Sequence, residues 1–249
     1  MKRLKDLNLS GTDITDEGLK SLTKLPLEDL TLSGTRITDR GLETISTIKS
    51  LEKLDLDDTA VTADGLKFLK RLPKLRRLDL CHTKIDKRAI DEIALLPNLK
   101  SLNISLTRLQ ETDLESLKMS VNLEDLDVKR IPLTEIGIKT IVQLKNMRDL
   151  DVRHTGISDK ELKMLSVLHN LKSLDLSDTK VTDRGILGLQ HLTRLKILRI
   201  NECPDVTDSG IKALKAALPT TEIRQQIDWR SLKADDTAES LLQKLRQRD

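Results

Sequence analysis

The chain opens on Leu4-Lys5-Asp6-Leu7-Asn8-Leu9-Ser10-Gly11-Thr12-Asp13-Ile14-Thr15-Asp16-Glu17-Gly18-Leu19, and this pattern returns along its length. Leu4, Leu7 and Leu9 set a Leu-x-x-Leu-x-Leu frame whose first position recurs at Leu27, Leu51, Leu75, Leu99, Leu123, Met147, Leu171 and Leu195. From Leu27 onward the interval never changes, and the step from Leu4 to Leu27 is a single position shorter. A fixed period of that size marks an array of stacked units. Inside the unit the period changes. Leu7-x-Leu9 alternates as a half-buried strand does, whereas Leu19, Leu22 and Leu25 recur at helical spacing. Between them Thr15-Asp16 supplies the short oxygen side chains that cap a first helical turn. Each copy is thus predicted to be one strand, one turn and one short helix.

The composition agrees with small, equal layers. The chain of 249 residues holds one Trp, one Phe and no Tyr, so its apolar volume comes from aliphatic side chains. One such unit buries too little to offset the entropy of ordering its own backbone, so the copies have to stack and share a core. Parallel strands then line one face and helices the other. Helices are wider than the ~4.8 Å strand spacing, which puts the sheet on the concave side. The expected fold class is α/β: a solenoid of nine coils over residues 1–218, followed by a C-terminal cap over 219–249. In that cap, Ile223, Ile227 and Trp229 suggest a degenerate strand, and Leu241, Leu242 and Leu245 an amphipathic helix.

The unit Leu-x-x-Leu-x-Leu-x-x-Thr-x-Ile-Thr-Asp-x-Gly-Leu, traceable from about residue 4 to 218, resembles the leucine-rich-repeat family. Its Ile-Thr-Asp-x-Gly-Leu segment is similar to the cysteine-containing subclass found in eukaryotic F-box adaptors. The form with Thr in place of that Cys resembles repeats of planctomycete-like bacterial proteins. The resemblance implies a right-handed arc with a ligand-binding concave face, and it names no ligand.

Several columns have plain structural readings. Thr12, Thr35, Thr59, Thr83, Thr107, Thr155 and Thr179 stand where the chain leaves the strand, and their hydroxyls are expected to satisfy backbone groups of the adjacent coil. Ile131 and Cys203 interrupt this column, so irregular turns are expected in coils 6 and 9. Gly18, Gly41, Gly65, Gly137, Gly185 and Gly210 recur in the first helical turn, where close approach of coils is the expected reason. Ala89, Asp113 and Glu161 fill that slot elsewhere. No Gly-x-Gly cluster follows a strand, and His82 and His154 lie three coils apart. Neither a phosphate loop nor zinc spacing nor a nucleophile-base pairing is assembled, so no enzyme, metal or cofactor is expected.

The outward strand positions carry the information about ligands. One column reads Asn8, Thr31, Asp55, Asp79, Asn103, Asp127, Asp151, Asp175 and Arg199, and the next reads Ser10, Ser33, Asp57, Cys81, Ser105, Lys129, Arg153, Ser177 and Asn201. Carboxylates stacked ~4.8 Å apart repel by ~1 kcal/mol per pair even in water. A cationic ligand would account for such a ladder; so would a repeat consensus whose acids stay solvated. Asp55, Asp57 and Asp58 make coil 3 acidic, and Lys129, Arg130, Arg153 and His154 beside Asp127 and Asp151 make coils 6 and 7 a mixed-charge cluster. The candidate partner-binding set is therefore Asp55, Asp57, Asp58, Asp79, Asp127, Lys129, Arg130, Asp151, Arg153, His154 and Asp175.

The net charge of +3 and the scarcity of aromatics speak against nucleic acid, and no apolar run is long enough for a membrane span. Two cysteines make no disulfide framework, and no apolar signal segment follows Met1, so a cytoplasmic setting is expected if Met1 is the natural start. Coil 1 begins at Leu4 without an evident cap, which leaves room for an upstream domain. The function expected from these readings is a module that binds a protein partner on its concave face. The alternative is the recognition arm of a ubiquitin-ligase adaptor or bacterial effector whose other domain lies elsewhere.

Overall fold

The computed structural model describes residues 3–225. Ten three-residue strands form one sheet in strict chain order. They are β1 (Asp6–Asn8), β2 (Asp29–Thr31), β3 (Lys53–Asp55), β4 (Arg77–Asp79) and β5 (Ser101–Asn103). The second half continues with β6 (Asp125–Asp127), β7 (Asp149–Asp151), β8 (Ser173–Asp175), β9 (Ile197–Arg199) and β10 (Glu222–Arg224). Every neighbouring pair is parallel and in register, so the central leucines of the coils, Leu7, Leu30, Leu54 and onward, form one row. Each of β1 to β9 is followed by a short helix on the opposite face, and most are one or two turns, such as Asp39–Ile45 and Asp159–Leu165. Coil 5 departs from this with a nine-residue 3-10 helix, Glu111–Met119. The core between the layers is one continuous cluster, chiefly of Leu, Ile and Val. The narrow strand spacing opposite the wider helices leaves the sheet on the concave side. Trp229, Ile227 and the helix expected around Leu241 lie outside the described residues.

The turn leaving each strand has the same form in all nine coils. The residue before the Thr column (Gly11, Gly34, Asp58, His82, Leu106, Arg130, His154, Asp178, Glu202) adopts a left-handed φ between 50° and 66°. Coils 6 and 9 are no exception, contrary to the irregularity expected there: φ is 63° at Arg130 and 55° at Glu202. The turn is held by backbone bonds between coils, such as Arg130 N–H to Arg153 O at 3.0 Å, and not by the Thr hydroxyl. Ile131 and Cys203 therefore bury in the Thr position without disturbing it. The hydroxyls also serve a different carbonyl than expected. Thr35 donates to Leu32 O at 2.6 Å and Thr155 to Val152 O at 2.6 Å, three residues back in the same coil. Only at Cys203 does this column reach the adjacent coil, where its thiol donates to Leu176 O at 3.2 Å.

A recurring side-chain joint between coils lies at the helix start. Asp16 accepts from the N–H of Thr38 at 2.9 Å and from its hydroxyl at 2.6 Å, one coil further on. Asp39 does the same to Thr62, Glu111 to Thr134, Asp159 to Thr182 and Asp183 to Thr207. The acid leans over the next coil's first helical turn, so a Cβ at Gly41 would sit 2.5 Å from Asp16 Oδ1. Gly65, Gly185 and Gly210 are crowded in the same way by Asp39, Asp159 and Asp183, and Gly137 by Glu111 and its own Leu133. Close approach is therefore the reason for the glycines, and its agent is a carboxylate. Where the preceding coil offers Ala63, Lys87 or Glu135, no such joint forms and the slot holds Ala89, Asp113 or Glu161. The last two turn inward to their own helix start: Asp113 accepts from Gln110 N–H at 2.8 Å and Glu161 from Ser158 N–H at 3.0 Å. In coil 4, Asp86 caps its helix itself.

Candidate functional site

The third residue of each strand points outward from the sheet, yet most of these polar groups already have a task. Asp55 Oδ1 accepts from the N–H of Asp57 at 3.0 Å, and the same bond recurs from Asp79 to Cys81, Asp127 to Lys129, Asp151 to Arg153 and Asp175 to Ser177. Asn8 and Asn103 make it with an amide oxygen. One oxygen of each side chain thus braces the chain as it turns left-handed out of the strand, an Asx-type bond. The Leu-Asp-Leu of this repeat has a structural cause that the sequence alone did not reveal.

The remaining oxygen decides how each carboxylate behaves, and the row divides in two. At its C-terminal end the acids are neutralised. Arg153 lies along Asp151, its Nε 2.8 Å from Oδ2, and reaches Asp175 at 3.5 Å. This holds the Arg153 guanidinium firmly charged, chiefly through its hydrogen bonds to Asp151. Arg199 approaches Asp175 at 4.0 Å and donates to Ser173 Oγ at 3.2 Å. Asp175 itself is buried, and Ser177 Oγ donates to it at 2.6 Å. Asp151, Arg153, Ser173, Asp175 and Arg199, with Asp125, Asp149, Leu150 and Asn201, line an open depression of about 370 Å³ on the sheet face.

Toward the N-terminal end the outward acids are not held in ion pairs. Among the described residues no cation is within 4.0 Å of Asp55, Asp57, Asp79 or Asp127 in an ion pair. Burial, opposed by the Asp57 amide, raises the Asp55 carboxyl above its ordinary range, and burial raises Asp79 against the bonds it accepts from Cys81 and Asn103. Asp127 is pushed up to about 6, first by burial and then by the charge of Asp151. Asp57 accepts from Ser33 Oγ at 3.2 Å. Asp149, in the first row of the strands, is also raised by burial and by its neighbour Asp125.

The structure therefore places eight of the eleven candidates, Asp55, Asp57, Asp79, Asp127, Lys129, Asp151, Arg153 and Asp175, on two adjacent rows of the concave face. Asp58, Arg130 and His154 stand apart from them, at the rim, in the left-handed turn. Asp58 pairs there with His82 at 3.0 Å and His154 with Asp178, while Arg130 is exposed. The depression adds Asp125, Asp149, Ser173, Arg199 and Asn201, outside the candidate set. Arg199 and Asn201 close the two outward columns read from the sequence, while Asp125, Asp149 and Ser173 stand in the first strand position, a column that reads Asp6, Asp29, Lys53, Arg77, Ser101, Asp125, Asp149, Ser173 and Ile197. The thiols are poorly placed for chemistry: Cys203 is buried, and burial pushes Cys81 up to about 11. Among the described residues no group of three or more His, Cys, Asp or Glu is arranged to hold a metal ion, and no helix is long and apolar enough to cross a membrane.

Comparison with known proteins bears on the fold. Residues 49–109 match a family model described as leucine rich repeat, and a second model of that description matches 3–22, 25–46 and 167–189. No curated protein matches the chain. Among solved structures, an internalin C2 from Listeria monocytogenes str. 4b F2365 is 24% identical, with 86% of this chain and 84% of that chain covered and a TM-score of 0.59. An internalin (inlF) from the same strain is 20% identical over 90% of this chain and 80% of that chain, with a TM-score of 0.55. The regular repeat, the ten-stranded parallel sheet backed by helices, and these matches agree: the chain is a leucine-rich-repeat protein.

Proposed function

We propose that the chain is a protein-recognition module, and that its concave face takes up a partner segment rich in Lys or Arg. One observation carries this reading: Asp55, Asp79 and Asp127 are partly desolvated and make no ion pair, Arg77 and Arg153 offsetting their raised carboxyls only from a distance, while the acids further along the sheet are paired with Arg153 and Arg199. A carboxylate held partly out of water without a paired cation costs free energy that an arriving cation recovers. The Asx-type bonds explain why acids are used in this column, and Asn8 and Asn103 show that a neutral amide braces the turn equally well. Keeping charge at these three positions is what the cationic partner accounts for. The neutralised depression beside Arg199 would receive the less basic remainder of the segment.

The experiment is capture and crosslinking of partners by the intact chain against the triple variant Asp55→Asn, Asp79→Asn, Asp127→Asn, which preserves the turn bonds. Loss of a basic partner from the variant supports the reading. Equal capture by both proteins, with both folded by circular dichroism, excludes this row as the binding surface.

A further inference from the structure

The joints between coils follow a rule that reaches its own exception at coil 1. Coils 2, 3, 6, 8 and 9 receive a carboxylate from the coil before them, and each has both Thr at the helix cap (Thr38, Thr62, Thr134, Thr182, Thr207) and Gly three residues on. Coils 4, 5 and 7 receive none, and each lacks both: Asp86 with Ala89, Gln110 with Asp113, Ser158 with Glu161. Coil 1 has both, Thr15 and Gly18, and no coil of the described residues precedes it.

The end face around this pair is otherwise unfinished. Leu4, Leu7, Leu9, Ile14, Leu22 and Leu25 are exposed or half-exposed, whereas their counterparts in coil 2, from Leu27 to Ile48, are all buried. In the receiving coils the Thr hydroxyl donates to the carboxylate and accepts from an amide of the first helical turn, as Thr38 does from Arg40 at 3.3 Å. Thr15 makes no such capping bond. A Cβ at Gly18 would meet only its own coil's Ile14, so the space that a carboxylate fills over Gly41 is open here.

We infer that the β1 end of the solenoid is a docking face for one further coil of this repeat type, which delivers an Asp or Glu carboxylate to the N–H and hydroxyl of Thr15 over Gly18. The face continues, in register, the interface already repeated between coils 1 to 9. A second copy stacked head to tail cannot bring its coil 9 against coil 1 in this register, because β9 is already paired with β10.

The test places a copy of residues 27–50 directly before Leu4 of the full chain, which reproduces the spacing from Leu27 to Leu51. A second form carries Asp39→Ala in the added copy only, and both are compared with the unextended chain by amide hydrogen exchange. The added coil should become protected, and the Thr15 amide should exchange roughly tenfold more slowly with Asp than with Ala, the scale of a charge-assisted hydrogen bond. Gly18→Ala in the extended chain should abolish that difference. Equal exchange at Thr15 in both forms overturns the inference, as does an added coil that stays unprotected. Concentration-dependent protection of Thr15 in the unextended chain also overturns it, since the occupant would then be a second copy.

Discussion

Asp159 of coil 7 fills the space that a side chain at Gly185 of coil 8 would need, while its two oxygens accept from the N–H and the hydroxyl of Thr182, each at 2.8 Å. A polar bond and an absence of side chain, contributed by successive coils, are one device. Gly185→Ala is therefore expected to destabilise the fold by about 1–3 kcal/mol, the range for overpacking a tight contact. Gly188, helical and with open space where its Cβ would be, is the control: Gly188→Ala should gain up to ~1 kcal/mol from helix propensity. Denaturant titration of the two variants distinguishes the joint from a general sensitivity of helix glycines.

The same joint predicts non-additivity. Asp159→Ala alone should cost on the order of 1.5–3 kcal/mol, because it strips a charged acceptor from two donors of Thr182. Combined with Gly185→Ala it should cost less than the sum, since the clash leaves with the carboxylate. The chain already contains this pairing in Ala63 and Ala89. A double-mutant cycle that closes additively would refute the steric account of the glycine column.

Asp127 gives a pH signature. Its carboxyl titrates near 6 in the folded chain against an ordinary 3.8, so the folded state holds the proton more tightly than the unfolded one. Stability from this group is thus highest below about pH 4, declines as the pH rises toward 6, and stays reduced above it. Asp127→Asn keeps the acceptor for the Lys129 amide and removes the charge. At pH 7 it should be more stable than the parent by on the order of 1–2 kcal/mol, and near pH 4 equal to it. Thermal melts across pH 4–7 measure the difference, and a constant offset at every pH would exclude an electrostatic cause.

Partner capture should follow the same titration in the opposite sense. If a basic segment engages Asp127, lowering the pH through 6 discharges the carboxylate and weakens the complex. The parent should lose affinity over that interval more steeply than Asp127→Asn, whose capture is already diminished at pH 7. A parallel pH dependence of the two proteins would remove Asp127 from the interface.

The fold was almost wholly legible because so strict a period leaves one arrangement open, parallel strands in register with helices behind them. The turn at Arg130 was misread because Ile131 breaks the consensus letter, while the turn itself is kept by backbone bonds to Arg153 that no side chain announces. The site was half legible. Asp55 and Asp127 read correctly as outward acids, but their bond to the amide two residues on depends on the left-handed turn, which periodicity does not encode. Asp125 and Asp149 passed as spacers because the first strand position holds no constant letter from one repeat to the next. The Asp–Gly joint is written plainly in the letters, yet its two halves stand in different repeats, and it becomes readable only once stacking makes those positions neighbours.

The missing joints give the solenoid seams. Helix-cap carboxylate joints tie coils 1 to 3, coils 5 and 6, and coils 7 to 9, but no joint of that kind crosses from coil 3 to 4, from 4 to 5 or from 6 to 7. What crosses there instead is a neutral Asn bond to the preceding coil, Asn98 to Pro73 O and Asn122 to Pro97 O at 2.8 Å and Asn170 to Lys145 O at 2.9 Å. Exposed pairs accompany it, such as Arg88 with Asp64 at 3.3 Å and Lys160 with Glu135 at 2.8 Å, and each of these links contributes ~1 kcal/mol or less. Pulled from its two ends in a force-clamp experiment, the molecule should therefore not unravel one coil at a time. It should part at these seams and lengthen in steps of two or three coils, with coil 4 yielding as a separate, shorter step. Uniform single-coil steps would show that the shared aliphatic core alone sets its mechanical grain.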